Sequence, residues 1–177
     1  MLPRLLSLNL DGTQMNDLRI AMLAKLSELR ELSLQGCPIS DSAIPCLKRN
    51  RELTYLNLSY TQVTDAGMVN LLPFARLKVL VLSGTKITDS GMALLRLFPE
   101  LETVQLGQTL LTDNAIKELV GIRMRELDLS QTGITDAGLE YLKSLKHLKA
   151  LNLTGTSITD EGAKALKRAL PYCDIEG

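Results

Sequence analysis

Seven aspartates recur at nearly even intervals, Asp17, Asp41, Asp65, Asp89, Asp113, Asp136 and Asp160. If the segments between them stack at strand spacing, successive carboxylates come within about 5 Å and could form a cation column. The glycine-rich ligand loops of calcium-binding repeat proteins are missing, however. Most of these aspartates follow threonine or serine, as in Thr64-Asp65 and Ser40-Asp41. That pairing marks a helix start, where hydroxyl and carboxylate satisfy exposed amides and negative charge meets the positive helix end. Capping is therefore expected here, with no metal and no cofactor. Cys37 could act as a nucleophile only beside a base. The single histidine, His147, lies more than four repeats away. Neither C-x-x-C nor a phosphate-binding glycine motif occurs, so no enzyme is expected.

These residues are positioned by a repeat. Its first apolar residue falls at Leu5, Leu29, Leu53, Leu77, Leu101, Met124 and Leu148, a 24-residue period with one 23-residue step, 101 to 124. Further apolar residues at offsets three and five, such as Leu56 and Leu58, have the alternation of a short strand with one buried face. The second half of each unit switches to helical spacing, as in Leu139, Leu142 and Leu145. Strand, turn, helix and return at this period predict an α/β leucine-rich-repeat solenoid, a right-handed horseshoe with a parallel sheet on its concave face and helices on its convex face. Residues 1–177 are read as one domain of seven repeats. Thr13, Cys37, Thr61, Thr85, Thr109, Thr132 and Thr156 share a column after the strands. A small donor is expected there to bond a turn carbonyl whose loss would cost about 1 to 3 kcal/mol. Gly67, Gly91, Gly138 and Gly162, with Ala43 and Ala115, are small where a helix start approaches the neighbouring coil.

The run from Leu148 through Leu151, Leu153, Thr156, Ile158, Thr159 and Asp160 to Gly162 resembles the cysteine-containing leucine-rich repeats of F-box substrate receptors. With Gly162-Ala163-Lys164-Ala165-Leu166 it also resembles bacterial repeat proteins, including the GALA effectors. The resemblance covers the whole chain and implies the fold strongly. For function it implies two alternatives: substrate recognition within a ubiquitin-ligase adaptor, with the F-box upstream of these residues, or a bacterial effector scaffold. The chain departs from the cysteine-containing class by placing threonine in the ninth position of every unit except that of Cys37.

Composition is that of a well-cored domain, with 45% hydrophobic residues and 20 basic against 20 acidic ones. Balanced charge and the lack of a basic run with interleaved aromatics argue against nucleic acid. No stretch reaches membrane-spanning length, and the opening Met1-Leu2-Pro3-Arg4-Leu5-Leu6 is not expected to be a signal peptide. Three widely spaced cysteines suit a reducing, cytoplasmic setting.

Function in such a fold is expected on the concave face, from strand residues that do not point into the core. In repeats three to five these are Tyr55 and Asn57, Val79 and Val81, and Thr103 and Gln105, with Tyr60 and Leu110 on the adjoining loop. Two tyrosines beside two valines in adjacent coils, flanked by Glu31, Glu126 and Asp128, predict an apolar centre with a polar rim. The expected activity is a non-catalytic protein-interaction scaffold whose protein partner contacts those eight residues. Residues 170–177 are expected to cap the array, with Tyr172 and Ile175 laid over the last core layer. The first coil carries no comparable cap, so Leu8, Leu10 and Met15 are expected to meet an upstream part of a longer protein or a second copy.

Overall fold

The computed structural model describes residues 4–177; the first three residues of the leader reading lie outside them. Eight three-residue strands follow one another along a single parallel sheet in chain order. They are β1 (Ser7–Asn9), β2 (Glu31–Ser33), β3 (Tyr55–Asn57), β4 (Val79–Val81), β5 (Thr103–Gln105), β6 (Glu126–Asp128), β7 (Ala150–Asn152) and β8 (Asp174–Glu176). Register follows the repeat: Leu32, Leu56, Leu80, Val104, Leu127, Leu151 and Ile175 align as one row of inward side chains. All seven are buried. The 23-residue step leaves that row intact, since Val104 still pairs with Leu127.

The returning segments form α1 (Asp65–Leu71), α2 (Asp89–Met92), α3 (Asp113–Leu119), α4 (Leu139–Leu142) and α5 (Asp160–Ala169). In the first two coils the return is a 3-10 turn instead, Ile20–Lys25 and Ile44–Leu47. Their starts are capped upstream, by Asn16 Oδ1 accepting from Leu18 and Arg19 and by Ser40 Oγ accepting from Ser42, and Pro45 occupies the first turn of the second. In the second coil Pro45 lacks the amide that an α-helix begun at Asp41 would use, which favours the tighter turn there. Buried Asn50 ties these coils together, donating Nδ2 to the carbonyls of Leu23 (3.1 Å) and Leu26 (2.7 Å).

The aspartate column bonds the coil that follows it. Asp65 Oδ1 accepts the backbone N–H of Thr88 in the following coil at 2.9 Å, and its Oδ2 accepts the Thr88 hydroxyl at 2.5 Å. Asp17, Asp41, Asp89, Asp113 and Asp136 make the same pair of bonds to Ser40, Thr64, Thr112, Thr135 and Thr159. The threonine hydroxyl in turn accepts an N–H from its own helix, as Thr88 does from Ser90. Capping is thus divided between residues: threonine caps locally, and aspartate locks each coil to the next. Small residues fill the column facing this carboxylate, glycine in four coils and alanine at Ala43 and Ala115 with the same bonds made. A Cβ at Gly91 would stand 2.6 Å from Asp65 Oδ1, the carboxylate already placed against Thr88.

Threonine hydroxyls in the ninth-position column donate to turn carbonyls, as from Thr61 to Leu58 (2.6 Å) and from Thr109 to Leu106 (2.6 Å). Cys37 lies in the same column and reaches back to the Leu10 carbonyl of the preceding coil at 3.1 Å. At the C-terminal end, residues 174–176 add a strand to the sheet and bury Ile175. Tyr172 does not cover the core as expected. It is 85% exposed, and Leu170 fills the buried place instead.

Candidate functional site

The turn after each strand passes through one residue in the left-handed region. Four units place glycine there, Gly12, Gly36, Gly84 and Gly155, with φ between 65° and 74°. The third, fifth and sixth use Tyr60 (φ 56°), Gln108 (φ 57°) and Gln131 (φ 53°). A side chain in this region costs roughly 1 to 2 kcal/mol, most readily relieved by glycine. For a bulky residue such as tyrosine it is a true outlier. Tyr60 is half exposed, its ring lies against Gly84 of the next coil, and its hydroxyl donates to Gln108 Oε1 two coils away at 3.2 Å.

Beside this ring the concave face holds a depression of about 250 Å³. Of the eight residues expected to meet a partner, Tyr55, Asn57, Tyr60, Val81 and Gln105 line it. The remaining wall comes from residues the repeat pattern did not single out as contacts, chiefly Gln35, Ser83, Gln108, Asp128 and Ser130. A signal for Gln108 was present in the sequence: it replaces the glycine of its turn, as Tyr60 does. Val79 lies on β4 between Tyr55 and Thr103 in register, and Thr103 with Gln105 opens toward a second depression over β5 to β8.

Several details correct the expected apolar centre. Val81 is only 6% exposed, closed over by its register neighbours Asn57 and Gln105. Asn57 is 7% exposed and folded into its own turn, with Oδ1 accepting from Ser59 N (2.9 Å) and Ser59 Oγ. Leu110 is 63% exposed but stands on the ascending loop, paired with Thr88, and does not line the depression. The centre is therefore a polar hollow edged by two tyrosines.

Charge is sorted by face. Outward strand positions carry Glu31, Glu126, Asp128, Asp174 and Glu176 but no lysine or arginine, in a chain with 20 residues of each sign. The aspartate column, by contrast, is engaged in the coil-to-coil bonds described above. Among the described residues no group of three or more His, Cys, Asp or Glu side chains is arranged to hold a metal ion. No helix among them is long and apolar enough to cross a membrane.

A strand, a hydroxyl-bonded turn and a helix per coil, stacked in register on one parallel sheet, define a leucine-rich-repeat solenoid. Sequence profiles agree: one described as "Leucine Rich repeat" matches residues 49–72, 77–95, 124–143 and 144–167, and another, "Leucine Rich Repeat", matches residues 28–50. The chain belongs to the leucine-rich-repeat proteins, a fold used generally as a non-catalytic surface for protein partners. Among solved structures it is similar to an internalin (inlF) from Listeria monocytogenes, with TM-score 0.68, 23% identity and coverage of 95% of this chain and 52% of that one. A second Listeria internalin, C2, gives TM-score 0.72 and 23% identity over 96% of this chain and 69% of that one. A leucine-rich-repeat protein of Leptospira interrogans gives 0.58 and 22% over 88% and 38%. The chain thus spans about half the length of the first of these, and the likeness is one of fold. Among curated proteins no sequence matches.

Proposed function

We propose that this chain is a non-catalytic protein-interaction scaffold whose partner docks on the concave face of repeats three to five, around Tyr60. The observation that carries this reading is the left-handed conformation of Tyr60. A strained, half-exposed tyrosine stands where four other units use glycine, and it is held by Gly84 beneath and Gln108 beyond. Strain of this kind persists where the surroundings over-determine it, and such positions cluster at binding sites. Tyrosine is also a favoured hot-spot residue, giving large contact area for few rotatable bonds. The acidic bias of the face adds that the partner surface is neutral or basic.

A cytoplasmic setting, which would keep its three free cysteines reduced, is part of this proposal. The ligase-adaptor and effector alternatives use the same surface and differ in the identity of the partner. The test is crosslinked capture from native lysate with the wild-type chain and with Tyr60→Gly, which keeps the turn conformation and removes the ring. Specific proteins lost with the variant are the expected result; identical captures by both would sink the proposal.

A further inference from the structure

We propose that the depression beside Tyr60 binds a neutral saccharide, so that the partner is recognised through its hydroxyl-rich glycan rather than through peptide alone. The inference rests on the concave face being the partner surface and names the group that enters it. Its first support is the chemistry of the lining. Carboxamides of Gln35, Gln105 and Gln108 converge there with the Ser83 and Ser130 hydroxyls and one carboxylate, Asp128, and no lysine, arginine or histidine takes part. Carboxamides and hydroxyls donate and accept from one group, as sugar hydroxyls do. A site for an anionic ligand would need cations that this lining lacks.

Free hydrogen-bonding capacity is the second support. Gln108 spends Oε1 on the Tyr60 hydroxyl, leaving its amide N–H groups open. Asp128 uses Oδ1 to accept the Ser130 N–H at 2.9 Å, leaving Oδ2 open. Gln105 is exposed and bonds no other side chain among the described residues. Gly107 is what lets Asp128 and Ser130 lean over coil five: a Cβ there would stand 2.5 Å from Ser130 Oγ and 3.0 Å from Asp128 Oδ2. Shape is the third support. At about 250 Å³ the hollow falls just below the usual range for enclosing a drug-sized ligand, about 300 to 1,000 Å³, and suits a single ring. Tyr60 and Tyr55 supply aromatic surface for the C–H face of a pyranose, and the bond to Gln108 holds the Tyr60 ring before any ligand arrives.

The test has two arms. In the first, the 15N-labelled chain is titrated with methyl glycosides of glucose, galactose, mannose and N-acetylglucosamine, with sialic acid as the charged control. The expected result is movement of the Gln105 and Gln108 side-chain amide peaks with at least one neutral glycoside, half-saturating in roughly the millimolar range for so small a ligand. Gln105→Ala, an exposed substitution that leaves the fold intact, should weaken it at least about tenfold, and sialic acid should move nothing. No movement with any glycoside up to roughly ten times that range overturns the inference. The second arm repeats the lysate capture after enzymatic deglycosylation. Loss of capture shows the saccharide to be carried on the partner. Glycoside binding with capture unchanged assigns a free saccharide as the ligand. Capture that survives deglycosylation but fails with Tyr60→Gly, with no glycoside bound, overturns the saccharide and leaves the interaction scaffold standing.

Discussion

Replacing Gly84 by alanine tests whether the Tyr60 ring truly rests on the next coil. Gly84 has φ 68°, so a side chain there is strained whatever its surroundings, by about 1 to 2 kcal/mol. The added methyl would also stand 2.5 Å from Cε1 of Tyr60 and must push the ring out. Tyr60 is half buried, and a fully buried tyrosine covers about 150 to 250 Å². Eviction therefore exposes about 100 Å², worth at most about 2.5 kcal/mol. Gly84→Ala alone should cost about 3 to 4 kcal/mol. Tyr60→Gly alone loses the same contact and raises unfolded-state entropy but relieves its own strain, for a net loss of about 1 to 2 kcal/mol. In the double variant only the alanine strain is added, so the two changes should couple by about 2 kcal/mol. Urea unfolding of the four chains, compared by midpoint at constant m, measures this directly. Additivity within about 0.5 kcal/mol would refute the ring-on-glycine packing and with it the rigid Tyr60 on which the proposed site depends.

Asp89→Ala removes both bonds to Thr112 and should cost about 1 to 3 kcal/mol in thermal or urea unfolding. Asp160→Ala, in the same column but accepting no such pair among the described residues, should cost less than about 1 kcal/mol; equal losses would deny the coil-to-coil lock. Gly91→Ala should shift stability by less than about 1 kcal/mol either way. The helix gains about that much from alanine, and Ala115 already occupies the equivalent place with the Asp89–Thr112 bonds intact. A loss of several kcal/mol would mean the carboxylate cannot move aside. Burial, with the Asp174 charge second, raises the Cys173 thiol above its ordinary 9.0, and Lys149 opposes them. Asp174→Asn should move the midpoint of its alkylation pH profile down and speed reaction near neutrality; an unmoved or higher midpoint contradicts that balance.

The scaffold was legible because each of its requirements recurs. Leu32, Leu56 and Leu80 meet the same need in successive coils, so the period announces strand, face and register together. Turn and cap positions were legible in type, but the direction of the aspartate bonds was not. A sequence shows that Thr88 and Asp89 adjoin, whereas the partner of Asp89 is Thr112, fixed only once the coils stack. The first two returns share the helical spacing and the caps of the others, and the sequence did not show that they would wind as 3-10 turns. At the candidate site, strand parity placed Tyr55 and Gln105 on the concave face, and the eighth position of the repeat placed Tyr60 on the loop beside them. Val81 and Asn57 were misjudged because outward parity does not guarantee exposure when register neighbours close over a side chain.

Departures from the repeat are therefore the places to look for function, and Tyr60 shows why in energetic terms. In a stacked array each coil normally contacts only its immediate neighbours, so stability is a sum of single-coil and nearest-neighbour terms. The Tyr60 hydroxyl to Gln108 bond spans two coils, with Gly84 bridged between them. It adds a second-neighbour term that ties repeats three to five into one unit, the middle of a hollow that Gln35 of repeat two and Asp128 and Ser130 of repeat six complete. An exposed bond of this kind is worth only about 0.5 to 1.5 kcal/mol, less than the packing of the ring on Gly84. Its effect on geometry is larger: it fixes the ring that a ligand would meet, so that less ordering is left to be done on binding. A side chain whose packing offsets the strain of its own turn thereby also holds in place the surface a ligand would meet.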